Sequence, residues 1–383
     1  MAHSDDILAR AADGDRISDD EALHLYTEAP FHALAEAANH ARQRIIGDNI
    51  VTYIIDRNIN YTNVCTTACK FCAFYRAPKH SEGWTHDNAE VLRRCGEAVD
   101  LGATQVMLQG GHHPDFGVEY YEELFSTVKE HYPELVIHSI GPSEIDHMSR
   151  VSDIAVDEVI RRIKAAGLDS VAGAGAEMLP ERPRTAIAPL KESGRRWLEI
   201  MEVAHNHGLR STATMMMGTG ETAAERIEHL SLIRDVQDRT GGFRSFIPWT
   251  YQPENNHLKG RTQATALEYL RLLAVARLYF HNIVHLQSSW LTVGKAAGQL
   301  SLHLGVDDLG SIMLEENVIS SAGARNQSKL GELVNLIRTG DRIPAQRNTT
   351  YERLAVHWTP EDDPSDERVR SHYSTIVADL QQV

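Results

Sequence analysis

The chain opens with two stretches of helical character and then changes rhythm. Ser18-Asp19-Asp20-Glu21 has the polar cap and acidic first turn of a helix start, with Ala22, Leu23, Leu25 and Tyr26 as its apolar positions. A second helical run extends from about Phe31 to Ile46. From residue 51 short apolar or alternating runs recur: Val51–Asn60, Ala103–Gly110, Leu135–Ile140, Ser170–Ala176, Ser211–Gly218, Gly242–Trp249, Ile283–Trp290 and Leu309–Glu315. Between them lie segments with the period of an amphipathic helix, among them Glu119–His131, Val156–Ala166, Arg195–His207, Glu221–Arg239 and Thr265–Phe280.

Strands alternating with helices predict an α/β fold with a parallel sheet and right-handed crossovers. Eight units in about 270 residues suit a closed (β/α)8 TIM-type barrel better than an open sheet. A partly open barrel of six units is the alternative, since the first and last strands carry the weakest pattern. The division is an N-terminal helical extension over 1–50, a barrel over 51–325 and a C-terminal surface tail over 326–383, where Pro344, Pro360 and Pro364 stand among acidic residues. Chemistry in such barrels sits on loops after the carboxyl ends of the strands. The unusual clusters fall there: three cysteines after strand one, Gly110-Gly111-His112-His113 after strand two, Gly175-Ala176-Glu177 after strand four.

Charge and composition narrow the class. The 383 residues hold 53 Asp plus Glu against 38 Lys plus Arg, a formal charge of −15. Such a chain has no electrostatic footprint for nucleic acid or an anionic membrane. Met1-Ala2-His3-Ser4-Asp5-Asp6 lacks a basic start and an apolar run, and no stretch approaches the roughly 18 apolar residues of a membrane span. Of four cysteines, three lie within eight residues, which would staple nothing as disulfides. A reducing cytoplasm is the expected location.

Cys65-Thr66-Thr67-Ala68-Cys69-Lys70-Phe71-Cys72 spaces three thiols so that they can converge on one metal centre. A [4Fe–4S] cluster takes one ligand per iron, so three cysteines leave one iron open for chemistry. Structural zinc needs four ligands in a closed tetrahedron. The fourth thiol, Cys95, falls in the helix after strand one, so zinc would need a histidine to complete it. His112 and His113 are adjacent at a strand end, where their side chains should diverge; one is a candidate base facing the pocket, the other a packing residue. Met215–Met217 reads as barrel core. Trp249, Gln252, Gln287, Ser289 and Trp290 stand near strand ends, while Arg76 and Arg244 are candidates to meet a ligand carboxylate.

The cysteine motif, with Phe71 before its third thiol, resembles the radical S-adenosylmethionine superfamily. The resemblance implies that the cluster binds S-adenosylmethionine at its open iron and yields a 5′-deoxyadenosyl radical. It further implies that the Phe71 backbone lies near the adenine, Gly110-Gly111 near the methionine amino group, and Glu177 within reach of the cofactor. Asn58–Cys65, Phe71–Arg76, Gln109–Asp115, Phe246–Pro253 and Glu315–Val318 resemble the dehypoxanthine futalosine cyclase family of the futalosine route to menaquinone. This similarity spans roughly residues 51–325. It implies hydrogen abstraction at the ribose C4′ of dehypoxanthine futalosine, attack on the benzoate ring, and an electron donor such as flavodoxin or ferredoxin. Thr219, Gly141, Ser143, Ala172 and Ala174 depart from the family pattern. Aminofutalosine synthase, in which the radical adds to an enolpyruvyl group, is the nearest rival. A non-catalytic metal-binding protein and a histidine metallohydrolase are the others, and no His-x-His at the end of strand one supports the last.

Overall fold

The computed structural model describes residues 2–261 and 263–372; residues 373–383 of the expected tail lie outside them. The strands are β1 (Ile50–Ile54), β2 (Asp56–Asn60), β3 (Gln105–Gln109), β4 (Val136–Ser139), β5 (Ser170–Val171), β6 (Arg210–Met217), β7 (Phe243–Thr250), β8 (His285–Leu286), β9 (Asp308–Ser311), β10 (Ile343–Arg347) and β11 (Arg353–Val356). β1 and β2 are halves of one predicted run, broken at Ile55. β2 through β8 form a seven-stranded parallel sheet in chain order.

The ring then closes. Gln287, just beyond β8, bridges Asp308 of β9, and β9 runs parallel to β1. The Leu314 N–H donates to the Asp56 carbonyl at 3.0 Å, carrying the pairing onto β2. Seven strands plus β9 make the eight staves that the sequence rhythm predicts.

The helices after the strands form the outer layer, and each buries one stripe. In the helix Val156–Ala165 the stripe is Val156, Val159, Ile160 and Ile163, the spacing of one helical face. The N-terminal helices Asp19–Glu28 and Phe31–Ile46 pack against Ala223–Thr240 and Ala266–Tyr279 of this layer. The first has the predicted cap: Ser18 Oγ accepts from the Glu21 N–H, and the Glu21 carboxylate accepts from the Ser18 N–H. Arg42 is buried where the second meets the barrel, donating to the carbonyls of Asp48, Ile50 and Val306.

The C-terminal segment is more than a surface wrap. After the helix Leu330–Thr339, β10 joins β1 in parallel and β11 folds back antiparallel. Buried Arg347 pairs with Asp308, the first residue of β9. Thr349 Oγ1 donates to Gln105 Oε1 at 2.7 Å, and Tyr351 stacks on His285 with ring centroids 3.6 Å apart. Gln105 and His285 also begin their strands, so this segment floors the barrel at its amino end. The helix buries Leu330, Leu333, Val334 and Ile337 on one face, a period the sequence reading passed over, whereas the contacts of Arg347, Thr349 and Tyr351 are polar and leave no such period to find.

Candidate active site

Strand one ends at Asn60, and the chain swings into a loop across the carboxyl end of the barrel. Antiparallel pairing of Thr62 with Thr85 and a parallel bridge from Val64 to Arg76 hold its base. The Cys65 N–H donates to the Arg76 carbonyl at 2.9 Å, and the Cys72 N–H to the Cys69 carbonyl at 3.1 Å. Ala68 stands at φ 48°, a left-handed conformation that turns the backbone between the first two thiols. The Lys70 N–H donates to the Ile187 carbonyl, which ties the loop to the far wall.

Cys65, Cys69 and Cys72 line one cavity of about 190 Å³, together with Gly110, Gly111 and Glu177. Burial pushes the Cys69 thiol up to about 12 and the Cys72 thiol up to about 11, so each keeps its proton until a metal displaces it. Among the described residues no three His, Cys, Asp or Glu side chains close on a single-ion position. Thiols spread around a cavity wall suit a cluster that takes one thiolate per iron, and do not suit a closed zinc tetrahedron. Cys95 is fully buried in the core of the helix Asn88–Asp100 and is no fourth ligand.

The glycine pair has a steric reason. A Cβ on Gly111 would lie 2.2 Å from the Val64 carbonyl oxygen, and one on Gly110 would lie 2.3 Å from the Tyr61 ring. Only glycine lets the end of β3 pack directly on the cysteine loop. Glu144 braces the pair from below: its carboxylate accepts from the Gly141 N–H at 2.7 Å, the Tyr61 hydroxyl at 3.0 Å and the Gly110 N–H at 3.4 Å. Burial raises that carboxyl to about 7.

Glu177 is buried at φ 45°, its Oε1 3.0 Å from Lys191 Nζ. Burial alone would lower the Lys191 ammonium, but Glu177, then Cys69 and Glu192, hold it above the ordinary lysine range. Its Nζ also stands 6.0 Å from the Phe71 ring centroid. Lys191 is the one cation among the described residues lining this cavity, and no motif in the sequence announced it.

A larger cavity of about 330 Å³ fills the barrel interior. It shares Phe71, Gln109, Ala174, Gly175, Glu177 and Val318 with the thiol-lined cavity, so the two meet at a common waist. Trp249, Gln287, Ser289 and Trp290 line it as their strand-end positions suggested, beside apolar Met107, Ile247 and Leu309. Gln252 does not; its amide nitrogen bonds the Thr250 and Thr292 carbonyls. Neither candidate arginine reaches this cavity: Arg76 is held by Glu82, and Arg244 donates to Ser170 beneath the wall. Buried Asn58 Oδ1 has no partner among the described residues, and Asn58 faces the cavity.

The adjacent histidines do not supply a base to that cavity. His112 is buried against the cluster loop, its Nδ1 in a 2.7 Å hydrogen bond with Thr67 Oγ1, and burial next to His147 holds it well below the usual imidazole range. His113 turns away from both cavities and stacks on Phe116 at 4.1 Å between centroids. The two side chains diverge: His112 lines the thiol-lined cavity, His113 lines neither, and neither enters the barrel. The histidine that does is His138, on β4. Ser170 Oγ donates to the Arg210 carbonyl and accepts from Arg244, so it accepts from His138 Nδ1–H at 2.7 Å. That tautomer leaves the Nε2 lone pair as the free acceptor. Burial, then Arg244 and Arg347, push this imidazole down to about 3, so it is neutral at any working pH.

The departures from the family pattern have separate positions. Thr219 caps a turn by donating to Glu221 at 3.0 Å and lies outside both cavities. Gly141 and Ala174 touch: a Cβ on Gly141 would lie 2.3 Å from the Ala174 carbonyl oxygen. Ala172 and Ala174 line the barrel cavity, and Ser143 donates to Glu192 at 2.6 Å on the thiol side.

Comparison with known proteins follows the same division. Residues 59–233 match the Radical SAM superfamily, and residues 240–359 match the CofH/MqnC C-terminal region. The chain is 67% identical over 374 residues to the cyclic dehypoxanthine futalosine synthase of Streptomyces coelicolor, covering 97% of this chain and 94% of that one. It is 42% identical to the enzyme of that name from Halalkalibacterium halodurans, covering 91% and 94%. A 5-amino-6-(D-ribitylamino)uracil–L-tyrosine 4-hydroxyphenyl transferase of Methanosarcina acetivorans is 39% identical, covering 92% and 94%. Among solved structures, the hydrogenase maturase HydG of Carboxydothermus hydrogenoformans superposes with a TM-score of 0.72 at 17% identity, covering 91% of this chain and 81% of that one. Methylornithine synthase superposes at 0.69 and 18%, covering 88% and 97%; these likenesses speak for the fold. With three thiols on the loop after strand one, a sealed eight-stave barrel and near-full-length identity of 67%, the chain belongs to the cyclic dehypoxanthine futalosine synthase family of radical S-adenosylmethionine enzymes.

Proposed function

We propose that this chain converts dehypoxanthine futalosine into its cyclic product in menaquinone biosynthesis, by joining ribose C4′ to the benzoate ring. The observation that supports the reading is the waist between a thiol-lined cavity and the barrel cavity, which suits a cofactor beside its substrate. Cys65, Cys69 and Cys72 would hold the [4Fe–4S] cluster, and Phe71, Gly110-Gly111 and the Glu177–Lys191 pair would hold S-adenosylmethionine. When bound, these groups supply a 5′-deoxyadenosyl radical for hydrogen abstraction.

The chain's own contribution is containment and placement. Met107, Ile247, Trp249, Trp290, Leu291 and Leu309 wall the barrel cavity with apolar surface, which keeps water from a reactive carbon centre. His138 gives that cavity a neutral imidazole able to hydrogen-bond a sugar hydroxyl, and orientation of ribose against ring supplies much of the rate. The 67% identity to a cyclic dehypoxanthine futalosine synthase, against 39% to the tyrosine-using transferase, favours cyclisation over transfer of a hydroxyphenyl group.

No helix among the described residues is long and apolar enough to cross a membrane. With the acidic composition, this supports a cytoplasmic enzyme that meets a small molecule and an electron carrier rather than nucleic acid. Anaerobic turnover of the reconstituted protein with reductant, S-adenosylmethionine and dehypoxanthine futalosine tests the reading. The expected result is 5′-deoxyadenosine together with a product lighter by two hydrogen atoms. Deoxyadenosine with unchanged substrate would reject the substrate assignment and leave the radical chemistry standing.

A further inference from the structure

The charge of this molecule is distributed in a way its net value hides. Of its eight lysines, Lys129, Lys191, Lys295 and Lys329 pair with carboxylates. Lys70, Lys79, Lys164 and Lys259 meet no carboxylate among the described residues. Three of those four stand on two loops that lie against each other at the carboxyl end of the barrel. Lys70 and Lys79 belong to the cysteine loop. Lys259 belongs to the loop after β7, whose His257 N–H donates to the Lys70 carbonyl at 2.7 Å and whose Leu258, like Phe71 and Cys72, packs against the buried cluster of Cys69, Ile187 and Tyr251.

Between these loops runs a surface groove of about 330 Å³ lined by Cys72, Tyr75, Arg76, His80, Asn255 and His257. Lys79 sits beside His80, Lys259 just beyond Leu258, and both lysines are exposed, as is Lys70. The nearby carboxylates are already engaged: Glu82 by Arg76 at 2.6 Å and Glu254 by Arg325 at 3.4 Å. A chain of formal charge −15 therefore places uncompensated positive charge around a surface groove that reaches Cys72.

We infer that this groove is the docking surface for an acidic one-electron carrier protein, with Lys79 and Lys259 as its steering charges. The inference rests on the reading of Cys72 as a cluster ligand. It adds where the electron enters and why a carrier would find that place. Transfer moves one electron from carrier to cluster, with no proton and no bond made or broken. An acidic carrier is repelled by the bulk of this surface and attracted here, so the local field orients the encounter as well as speeding it. Nucleic acid also carries negative charge, but the acidic remainder of the molecule opposes a long polyanion and tolerates a compact partner.

The test uses the reconstituted holoenzyme, a purified flavodoxin as probe, and dithionite as a small reductant that needs no docking. In the double variant Lys79→Glu with Lys259→Glu, flavodoxin binding measured by titration should weaken about tenfold or more, and flavodoxin-driven bleaching of the cluster absorbance should slow in parallel. Dithionite-driven bleaching and deoxyadenosine formation should stay within about twofold of the parent. Raising ionic strength should weaken flavodoxin binding to the parent and have little effect on the double variant. Lys164→Glu, an exposed unpaired lysine on another face, should change none of these. Equal losses in Lys164→Glu, or an unaltered affinity in the double variant, would overturn the docking site. A parent that takes electrons from neither flavodoxin nor dithionite would instead defeat the cluster reading on which the site depends.

Discussion

The ammonium of Lys191 stands 3.0 Å from a carboxylate oxygen of Glu177, both side chains about nine-tenths buried, at the wall where the thiol-lined cavity meets the barrel cavity. A buried pair of this kind is costly to break from one side, because the partner is left as an uncompensated charge. It also offers one cation to an anionic group entering the cavity while keeping the site neutral before entry.

Lys191→Met should therefore weaken S-adenosylmethionine binding to the reconstituted protein about tenfold or more. The double variant with Glu177→Gln should recover part of the lost stability, but not the binding. Titration of the cofactor alongside chemical denaturation separates the two; equal affinity in parent and Lys191→Met would remove Lys191 from the cofactor site.

The two classes of cysteine should part cleanly. Cys69→Ala is expected to abolish deoxyadenosine formation and to reduce the iron retained after reconstitution. Cys95→Ala, in the core behind the helix Asn88–Asp100, should keep the cluster and lose only about 1 kcal/mol of stability to the vacated volume. Iron analysis and absorbance at about 400 nm report the difference.

His138→Ala should lower formation of the cyclic product by a factor of ten or more, about 1.4 kcal/mol at the transition state. Deoxyadenosine formation should continue, uncoupled from product, because His138 lines the barrel cavity and not the thiol-lined one. His113→Ala should leave the ratio of the two products as it was. Chromatographic quantification of both decides; tight coupling in His138→Ala would exclude it as a substrate-positioning group.

Acid should destabilise the fold earlier than its carboxylates alone would. Burial pushes His138 and His229 down to about 3 and His205 down to about 4, from an ordinary value of 6.5. In the unfolded chain these imidazoles take up protons below 6.5 that the folded chain refuses. Their stability contribution is thus complete above pH 6.5 and is lost progressively below it, by up to about 1.4 kcal/mol per pH unit for each. Glu144, raised to about 7, acts in the opposite sense between about 4.5 and 7, but is one group against three. Urea midpoints between pH 5 and 8 should fall on the acid side, and fall less in His229→Gln.

The alternating rhythm made the barrel legible, and the cysteine spacing made the cofactor legible, because both are periodic or local signals. What escaped was set by distant contacts. Ser170–Ala176 reads as a strand, yet only Ser170 and Val171 pair; beyond them Gly175 at φ 84° and Glu177 at φ 45° bend the chain into the cavity wall. Local propensity cannot anticipate backbone held off its ladder at a functional site. Lys191 carried no motif, since its meaning comes from Glu177 across a loop. His112 and His113 drew notice as a pair, while His138 earned its place only through Ser170 and Arg244 on neighbouring staves. Gly141 looked like an isolated departure until the Ala174 carbonyl appeared against it. At that position Gly141→Ser would set a Cβ 2.3 Å from that oxygen and should cost stability here.

The floor laid by residues 343–351 bears on the order in which the molecule comes into being. β10 lies beside β1, and Thr349 and Arg347 answer Gln105 and Asp308, so the earliest strands wait for a segment far along the chain. A growing chain that has already made its cysteine loop still has a barrel without a base. Until the final strands arrive, the interior is open from below, and contacts of such long sequence separation form late. The closing of that base therefore marks the moment when the reaction chamber can first hold a radical in isolation.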